Sequence, residues 1–179
     1  MKQKVILFEG PDRCGKTEIS KELSRITGVP YFKNEAEKIH FRNMGGADFA
    51  TSTKFIEPYF ASYLVQTRAS VIMDRCYPSE YAYSSVFSRN TDIELLRRVD
   101  EVYAQLDARI IICKRSSYIG MSDDQFDVID EYAMRNIDDA YEYFAKHFTK
   151  CKVAFVNVDD ENLRNEISQI RAQFPDIFE

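Results

Sequence analysis

Residues 10–17 read Gly-Pro-Asp-Arg-Cys-Gly-Lys-Thr, and no other stretch restricts the fold so sharply. The pattern is G-x-x-x-x-G-K-[ST], the phosphate-binding loop. Before it, Val5, Ile6, Leu7 and Phe8 make a continuous apolar run, which suits a strand buried on both faces. After it, Ile19 and Leu23 lie four apart on one face of an expected helix. Glycines let successive backbone N–H groups converge on one anion, and the helix start adds partial positive charge at the same place. In such a loop Lys16 reaches the β- and γ-phosphates and the Thr17 hydroxyl binds Mg²⁺. Both the fixed positions and the flanks agree, so a chance strand–turn–helix is set aside. The expected ligand is a nucleoside triphosphate, held by Gly10, Arg13, Cys14, Gly15, Lys16 and Thr17.

The rest of the chain permits this. Its 179 residues suffice for one domain, expected over residues 1–179, with a sheet covered on both faces. No apolar run approaches about 18 residues, so no membrane span is expected. No small-residue cleavage site follows the start. Cys14, Cys76, Cys113 and Cys151 form no C-x-x-C pair, and only two histidines are present, which argues against a zinc site. Buried free thiols in a reducing cytoplasm is the plain reading. The net charge of −5 comes without a basic run, which counts against a nucleic-acid polymer as partner. A small nucleotide in a local basic pocket remains compatible.

In chain order, the first helix is expected to end near Thr27 at Gly28-Val29-Pro30, and Tyr31-Phe32 to form a short strand. The pattern is weak over residues 33–44, and Gly45-Gly46 marks a turn. A helix is predicted over residues 48–67, broken or kinked at Pro58. Val71-Ile72-Met73 reads as a strand ending in Asp74-Arg75, followed by a tyrosine-rich stretch (Tyr77, Tyr81, Tyr83) that leads into a helix. Thr91 with Glu94 is read as a capping box. Residues 109–113 make a fourth strand, residues 116–127 a polar loop that would serve as a short lid, and residues 128–148 a long helix. Residues 152–158 are a fifth strand, and Asp160 is read as the cap of the last helix. The alternation predicts an α/β fold of three layers, a parallel sheet of about five strands with helices on both faces. Ligands then sit beyond the carboxyl ends of the strands, where Asp74-Arg75 and Lys114-Arg115 accompany the loop.

Chemistry is expected from few residues. Asp74 can hold a metal's water shell or orient an attacking group, and Arg75 can fork onto a second phosphate. Asp12 and Arg13 lie inside the loop, where an arginine in cis can stabilise a transferring phosphoryl group.

These residues resemble a family. Residues 8–17, Phe-Glu-Gly-Pro-Asp-Arg-Cys-Gly-Lys-Thr, are similar to the thymidylate kinase loop F/L-E-G-x-D-x-x-G-K-[ST]. Residues 74–83 resemble that family's D-R-Y-x-x-S-x-x-A-[YF], and Asp124-Gln125-Phe126-Asp127 its lid pattern D/E-R-[FY]-E. The wider group includes deoxynucleoside kinases. The resemblance implies a P-loop NTPase fold, ATP and Mg²⁺, and phosphorylation of a pyrimidine deoxynucleoside monophosphate, dTMP or a 5-substituted analogue. It implies that Asp12 contacts the acceptor's sugar hydroxyl, that Arg13 is the catalytic arginine, that Arg75 grips the acceptor phosphate, and that Tyr83 packs on the deoxyribose. Asp74 joins Thr17 at the metal, and residues 157–160 border adenine. Related enzymes often pair through helices, so a homodimer is admitted, although the sequence carries no distinct interface signature.

Departures bear on the base more than on the reaction. Cys76 stands for a tyrosine, Glu80 for a common glycine and Gln125 for the lid arginine. The base-reading F-x-x-x-R is missing, with Phe49 and Lys54 only near it. Phe32-Lys33-Asn34-Glu35 replaces F-P-x-R, and Arg42 could substitute in holding the acceptor. Three alternatives stay open. In a deoxynucleoside kinase, Glu9 or Asp74 would be the base for a hydroxyl acceptor. The others are a kinase of a modified base in DNA and a non-catalytic nucleotide-binding module. Tyr59, Phe60, Tyr63, Tyr77, Tyr81, Tyr83 and Phe87 could stack a base, with core packing the default for each. His40 and His147 are read as surface histidines. Glu131, Asp138, Asp139 and Glu142 are read as a solvated helix face.

Overall fold

A computed structural model describes residues 2–33, 56–121 and 130–179. Strands β1 (Val5–Glu9), β2 (Tyr31–Lys33), β3 (Val71–Asp74), β4 (Arg109–Lys114) and β5 (Lys152–Asn157) alternate with helices. The helices are α1 (Lys16–Thr27), α2 (Glu57–Thr67), α3 (Tyr77–Val86), α4 (Ile93–Gln105), α5 (Glu131–His147) and α6 (Leu163–Gln173), followed by a 3₁₀ turn over Pro175–Phe178. The five strands form one sheet in the order β2-β3-β1-β4-β5, every pair parallel. This is the expected three-layer α/β P-loop architecture.

The sheet follows from composition. All five residues of β1 are buried, as are Ile110, Ile111, Ile112 and Cys113 of β4. Strands covered on both faces cannot alternate polar and apolar residues. Each fully buried aliphatic side chain contributes roughly 1.5–3 kcal/mol. Helix α1 packs on β1, β2 and β3 and against α6, while α3 packs against α4 and α5, and α2 against α4. Ile19 and Leu23 are the buried stripe of α1 that their spacing predicts. Inside the second helical layer Tyr77 stacks on Tyr103 at 5.5 Å and meets Phe144 edge-on at 5.9 Å.

Several boundaries differ from the sequence reading. Pro58 lies in the first turn of α2, where its missing N–H has no intrahelical partner to lose. The part of that expected helix before residue 56 lies outside the described residues. The tyrosine-rich stretch does not lead into a helix but is one, beginning at Tyr77. Thr91 is not the cap of α4. Asp92 is, accepting from Leu95 N at 2.9 Å, because Thr91 turns its hydroxyl to the Glu80 carboxyl. Asp160 does not cap α6; Asn162 does, through Arg164 N and Asn165 N, and Asp160 takes the Asn165 amide instead. Among the described residues no helix is long and apolar enough to cross a membrane.

Candidate active site

The phosphate loop joins β1 to α1, and its shape depends on Gly10. A Cβ there would stand 2.1 Å from the carbonyl oxygen of Cys113 on β4, so the loop can cross its neighbour only without a side chain. Arg13 (φ 59°) and Gly15 (φ 62°) take left-handed conformations that curl the loop towards the start of α1. Lys16 is almost wholly buried, and its Nζ donates to Pro11 O at 2.5 Å. Burial, and then the neighbouring Arg75 charge, push its pKa down, against Asp12 and Asp74, which pull it up. Cys14 is buried inside the loop with its sulfur 3.8 Å from the Tyr118 hydroxyl.

Parallel pairing of β1 with β3 sets Phe8 opposite Asp74, so the end of β3 faces the loop. Thr17 Oγ1 donates to Asp74 Oδ2 at 2.6 Å, and Tyr31 OH from β2 donates to the same oxygen at 3.0 Å. A hydroxyl and a carboxylate oxygen this close are hard donors of the kind Mg²⁺ prefers, and Mg²⁺ needs only one or two from the protein beside phosphates and waters.

Arg75 follows Asp74 in a left-handed conformation, φ 69°. Its guanidinium bonds to Asp12 Oδ1, to Tyr83 OH at 3.1 Å and to Ser79 Oγ at 3.2 Å, and it lies 5.1 Å from the Tyr83 ring centroid. Tyr83 OH donates to Asp12 Oδ2 at 2.7 Å, closing a three-residue ring between the loop and α3. Burial alone would raise the Asp12 carboxyl, but Arg75, Lys16 and the Tyr83 hydroxyl together hold it well below the usual carboxylate range. Asp12, Arg75 and Tyr83, all expected on the acceptor side, are thus brought together, as are Thr17 and Asp74. Arg13 is exposed, and its carbonyl accepts from Arg115 Nε at 3.1 Å. Arg42 and the lid motif at residues 124–127 lie outside the described residues.

Glu9, the alternative base, is fully buried at the end of β1. It accepts from Cys76 N at 2.6 Å, from Ser79 Oγ at 2.6 Å and from Tyr141 OH at 3.1 Å. Burial pushes its pKa up to about 8, against the opposing pull of Ser79, Arg75, Cys76 N–H and Tyr141. Ser79 belongs to the motif at residues 74–83, whereas Tyr141, on α5, carries no local sequence signal. Residues 157–159 are tied to the end of β4: Asp159 accepts from Ser116 N at 2.9 Å and from Asn157 Nδ2 at 2.8 Å. Arg115 donates to Glu161 at 2.7 Å as well as to Arg13 O, so it braces this segment against the phosphate loop.

The expected solvated face of α5 needs correcting at Asp138. Its carboxyl is half-buried, with Oδ1 unbonded, and burial, against the opposing Lys114 charge, raises it to about 6. The helix drops Asp138 beside Tyr118 at the base of the loop that follows β4. Of the aromatics between Tyr59 and Phe87, Tyr77 is core, while Tyr59 and Tyr63 are exposed and line an apolar groove with Ile56 and Phe60.

Sheet order, loop and site together define the P-loop fold that nucleotide and nucleoside kinases share. No protein-family model matches the chain. In fold it is similar to the YorR protein of Bacillus subtilis, solved in complex with phosphorylated GDP, at a TM-score of 0.67 and 16% identity over 97% of this chain and 96% of that one. It is similar to thymidylate kinase from Candida albicans, at a TM-score of 0.59 and 15% identity over 99% and 94% of the two chains. Deoxyadenosine kinase from M. mycoides with bound dCTP gives 0.58 and 18% over 96% and 98%. At such identities the likeness is one of fold, and it agrees with the thymidylate kinase resemblance of the motifs. In sequence, 35 residues are 54% identical to the ATP-dependent protease ATPase subunit HslU of Methylorubrum extorquens and of Methylorubrum populi. That is 20% of this chain, which spans only 8% of the length of those proteins.

Proposed function

We propose that the protein transfers the γ-phosphoryl group of ATP to a deoxynucleoside monophosphate, a pyrimidine one such as dTMP or a 5-substituted analogue. The observation that carries this reading is the Asp12–Arg75–Tyr83 ring beside the phosphate loop. A buried guanidinium next to Lys16 suits an acceptor that brings its own phosphate, whereas a neutral hydroxyl acceptor needs an accessible base. Glu9 is sealed from solvent and Asp74 is engaged by Thr17 and Tyr31, which counts against the hydroxyl alternative.

In this reading Arg75 holds the acceptor phosphate, and Asp12 and Tyr83 meet the sugar. An acceptor oxygen forms the new P–O bond in line as the bond to the ADP oxygen breaks, and ADP leaves with that electron pair. Lys16 and Arg13 neutralise charge on the oxygens of the transferring group. Thr17 and Asp74 would hold Mg²⁺, which when bound screens the phosphate charges. Arg115 keeps the loop and residues 157–161 in register. The reading takes residues 1–179 as one kinase domain, with its lid near residues 116–127, working in the cytoplasm, alone or as a homodimer.

The test is ADP release with ATP–Mg²⁺ against a panel of nucleosides and nucleoside monophosphates, 5-substituted pyrimidines included. Turnover with a monophosphate supports the reading and names the base. Turnover with nucleosides alone would replace it with the deoxynucleoside kinase, and silence would leave a polymer substrate or a non-catalytic binder.

A further inference from the structure

Arg75 is held from two sides, and the proposed reaction uses only one of them. Asp12 faces it from the half-exposed loop, with 30% of its side chain open to solvent. Glu9 faces it from the buried end of β1. A non-glycine residue at φ 69° is strained and persists only where its surroundings hold it. Here β1 does the holding. Phe8 O accepts from Arg75 N at 3.0 Å, and Glu9 Oε1 accepts from the next N–H, that of Cys76, at 2.6 Å. Cys76 is the N-cap of α3 and makes no side-chain cap of its own, so the Glu9 carboxyl supplies an acceptor there from another strand. Its second oxygen takes the Ser79 hydroxyl at 2.6 Å, and that hydroxyl accepts from Arg75 Nη1 at 3.2 Å. One carboxyl therefore secures both the backbone and the head of Arg75.

The charge state of Glu9 decides how much of the Arg75 charge is left over. The groups facing it are Arg75 after β3, the Cys76 thiol and Ser79 at the start of α3, and Tyr141 on α5. Burial raises the Cys76 thiol, Tyr141 and Tyr83 far above their ordinary values, so all three stay uncharged. Asp12 stays ionised. With Glu9 protonated at neutral pH, its value lying at about 8, the cluster holds one guanidinium against one carboxylate. Ionising Glu9 adds a second carboxylate on the side no ligand reaches.

We propose that Glu9 is a positioning residue for the acceptor: it holds Arg75 in its left-handed conformation through Cys76 N–H and the Ser79 hydroxyl, and only when uncharged does it leave the guanidinium to the acceptor phosphate. This rests on Arg75 gripping that phosphate, as read above. The acceptor phosphate has passed its second ionisation, near pH 6, so it does not titrate in the window concerned.

The experiment measures KM for dTMP, or for whichever monophosphate the panel turns over, against pH at saturating ATP–Mg²⁺. In the unaltered protein KM rises about tenfold between about pH 7 and about pH 9, with kcat changing less. In Glu9→Gln, which keeps an acceptor for Cys76 N–H but cannot ionise, KM stays level. Ser79→Ala, which cuts only the side-chain route, raises KM more than it lowers kcat, and circular dichroism checks that the fold is kept. A level KM in the unaltered protein overturns the proposal. The same rise in Glu9→Gln also overturns it and assigns the titration to Lys16, which burial pushes down. Silence with every monophosphate overturns the kinase reading and this proposal with it. Turnover with the wrong pH dependence overturns this proposal alone.

Discussion

Thr17 Oγ1 lies 2.6 Å from Asp74 Oδ2, so the threonine that ends the phosphate loop is bonded to the carboxyl end of the next strand. One oxygen from the first turn of α1 and one from the end of β3 converge because β1 and β3 pair in parallel with Phe8 opposite Asp74. Asp74→Asn keeps the shape and removes the charge. We expect the Mg²⁺ concentration for half-maximal ADP release to rise, or activity to fall, by about 10–100-fold. An unaltered Mg²⁺ titration would remove Asp74 from the metal site.

Lys16→Ala deletes a buried ammonium that donates to the loop carbonyl of Pro11. Phosphoryl transfer should fall by at least about 10²-fold with the circular dichroism spectrum unchanged. Undiminished turnover would end the phosphate-loop mechanism.

Arg13→Ala addresses the arginine in cis. If Arg13 stabilises the transferring group, kcat drops by about 10³-fold while ATP affinity changes little. A variant with raised KM for ATP and normal kcat would make Arg13 a binding residue only.

Gly10→Ala places a methyl group 2.1 Å from Cys113 O, a backbone atom that cannot swing away. Gly28→Ala, at φ 69° with nothing within 4 Å of the added carbon, is the control. Urea unfolding should show Gly28→Ala losing about 1 kcal/mol and Gly10→Ala losing about 3 kcal/mol or more. Equal losses would mean that the close crossing of β4 is not what demands glycine at position 10.

Glu57, at the start of α2, is buried, and its Oε2 accepts from Cys76 Sγ at 3.1 Å and Tyr103 OH at 3.2 Å. Burial raises its pKa from 4.5 to about 7, against those two hydrogen bonds. A folded value above the unfolded one means that its stabilising contribution is complete below pH 4.5 and lost as pH rises to about 7. Across that window the loss is roughly 3 kcal/mol. Thermal melts of Glu57→Gln should lack this part of the decline, and parallel pH profiles for the two proteins would refute it.

The sheet was legible because its strands are buried on both faces: Val5-Ile6-Leu7-Phe8 and Ile110-Ile111-Ile112 allow little else. The loop was legible because its chemistry is local, eight consecutive residues with fixed spacing. The cap positions misled because Thr91 and Asp92, or Asp160 and Asn162, are equally good caps in isolation. What decided between them was the distant Glu80 for Thr91 and the reach to the second and third helical N–H groups for Asn162. Motif likeness alone set Asp12, Arg75 and Tyr83 on the acceptor side, but that they bond to one another was not legible in the sequence. The Glu9–Ser79–Tyr141 cluster joins residues as much as 132 positions apart, and no periodicity in one segment reports such a contact.

β1 sits at the centre of the sheet although it comes first in the chain. Its partners are Val71, paired with Val5, and Arg109, paired with Ile6. Both contacts close long stretches of chain, and such loops are slow to form. During synthesis the phosphate loop is therefore made early and shaped late, since the Cys113 carbonyl that packs against Gly10 emerges about a hundred residues after it. Until β3 is made the apolar β1 segment has no strand on either side, and until β4 is made one of its edges stays unpaired. Acquisition of nucleotide affinity should accordingly be among the last events of refolding, and a fluorescent ATP analogue would report completed assembly rather than early collapse.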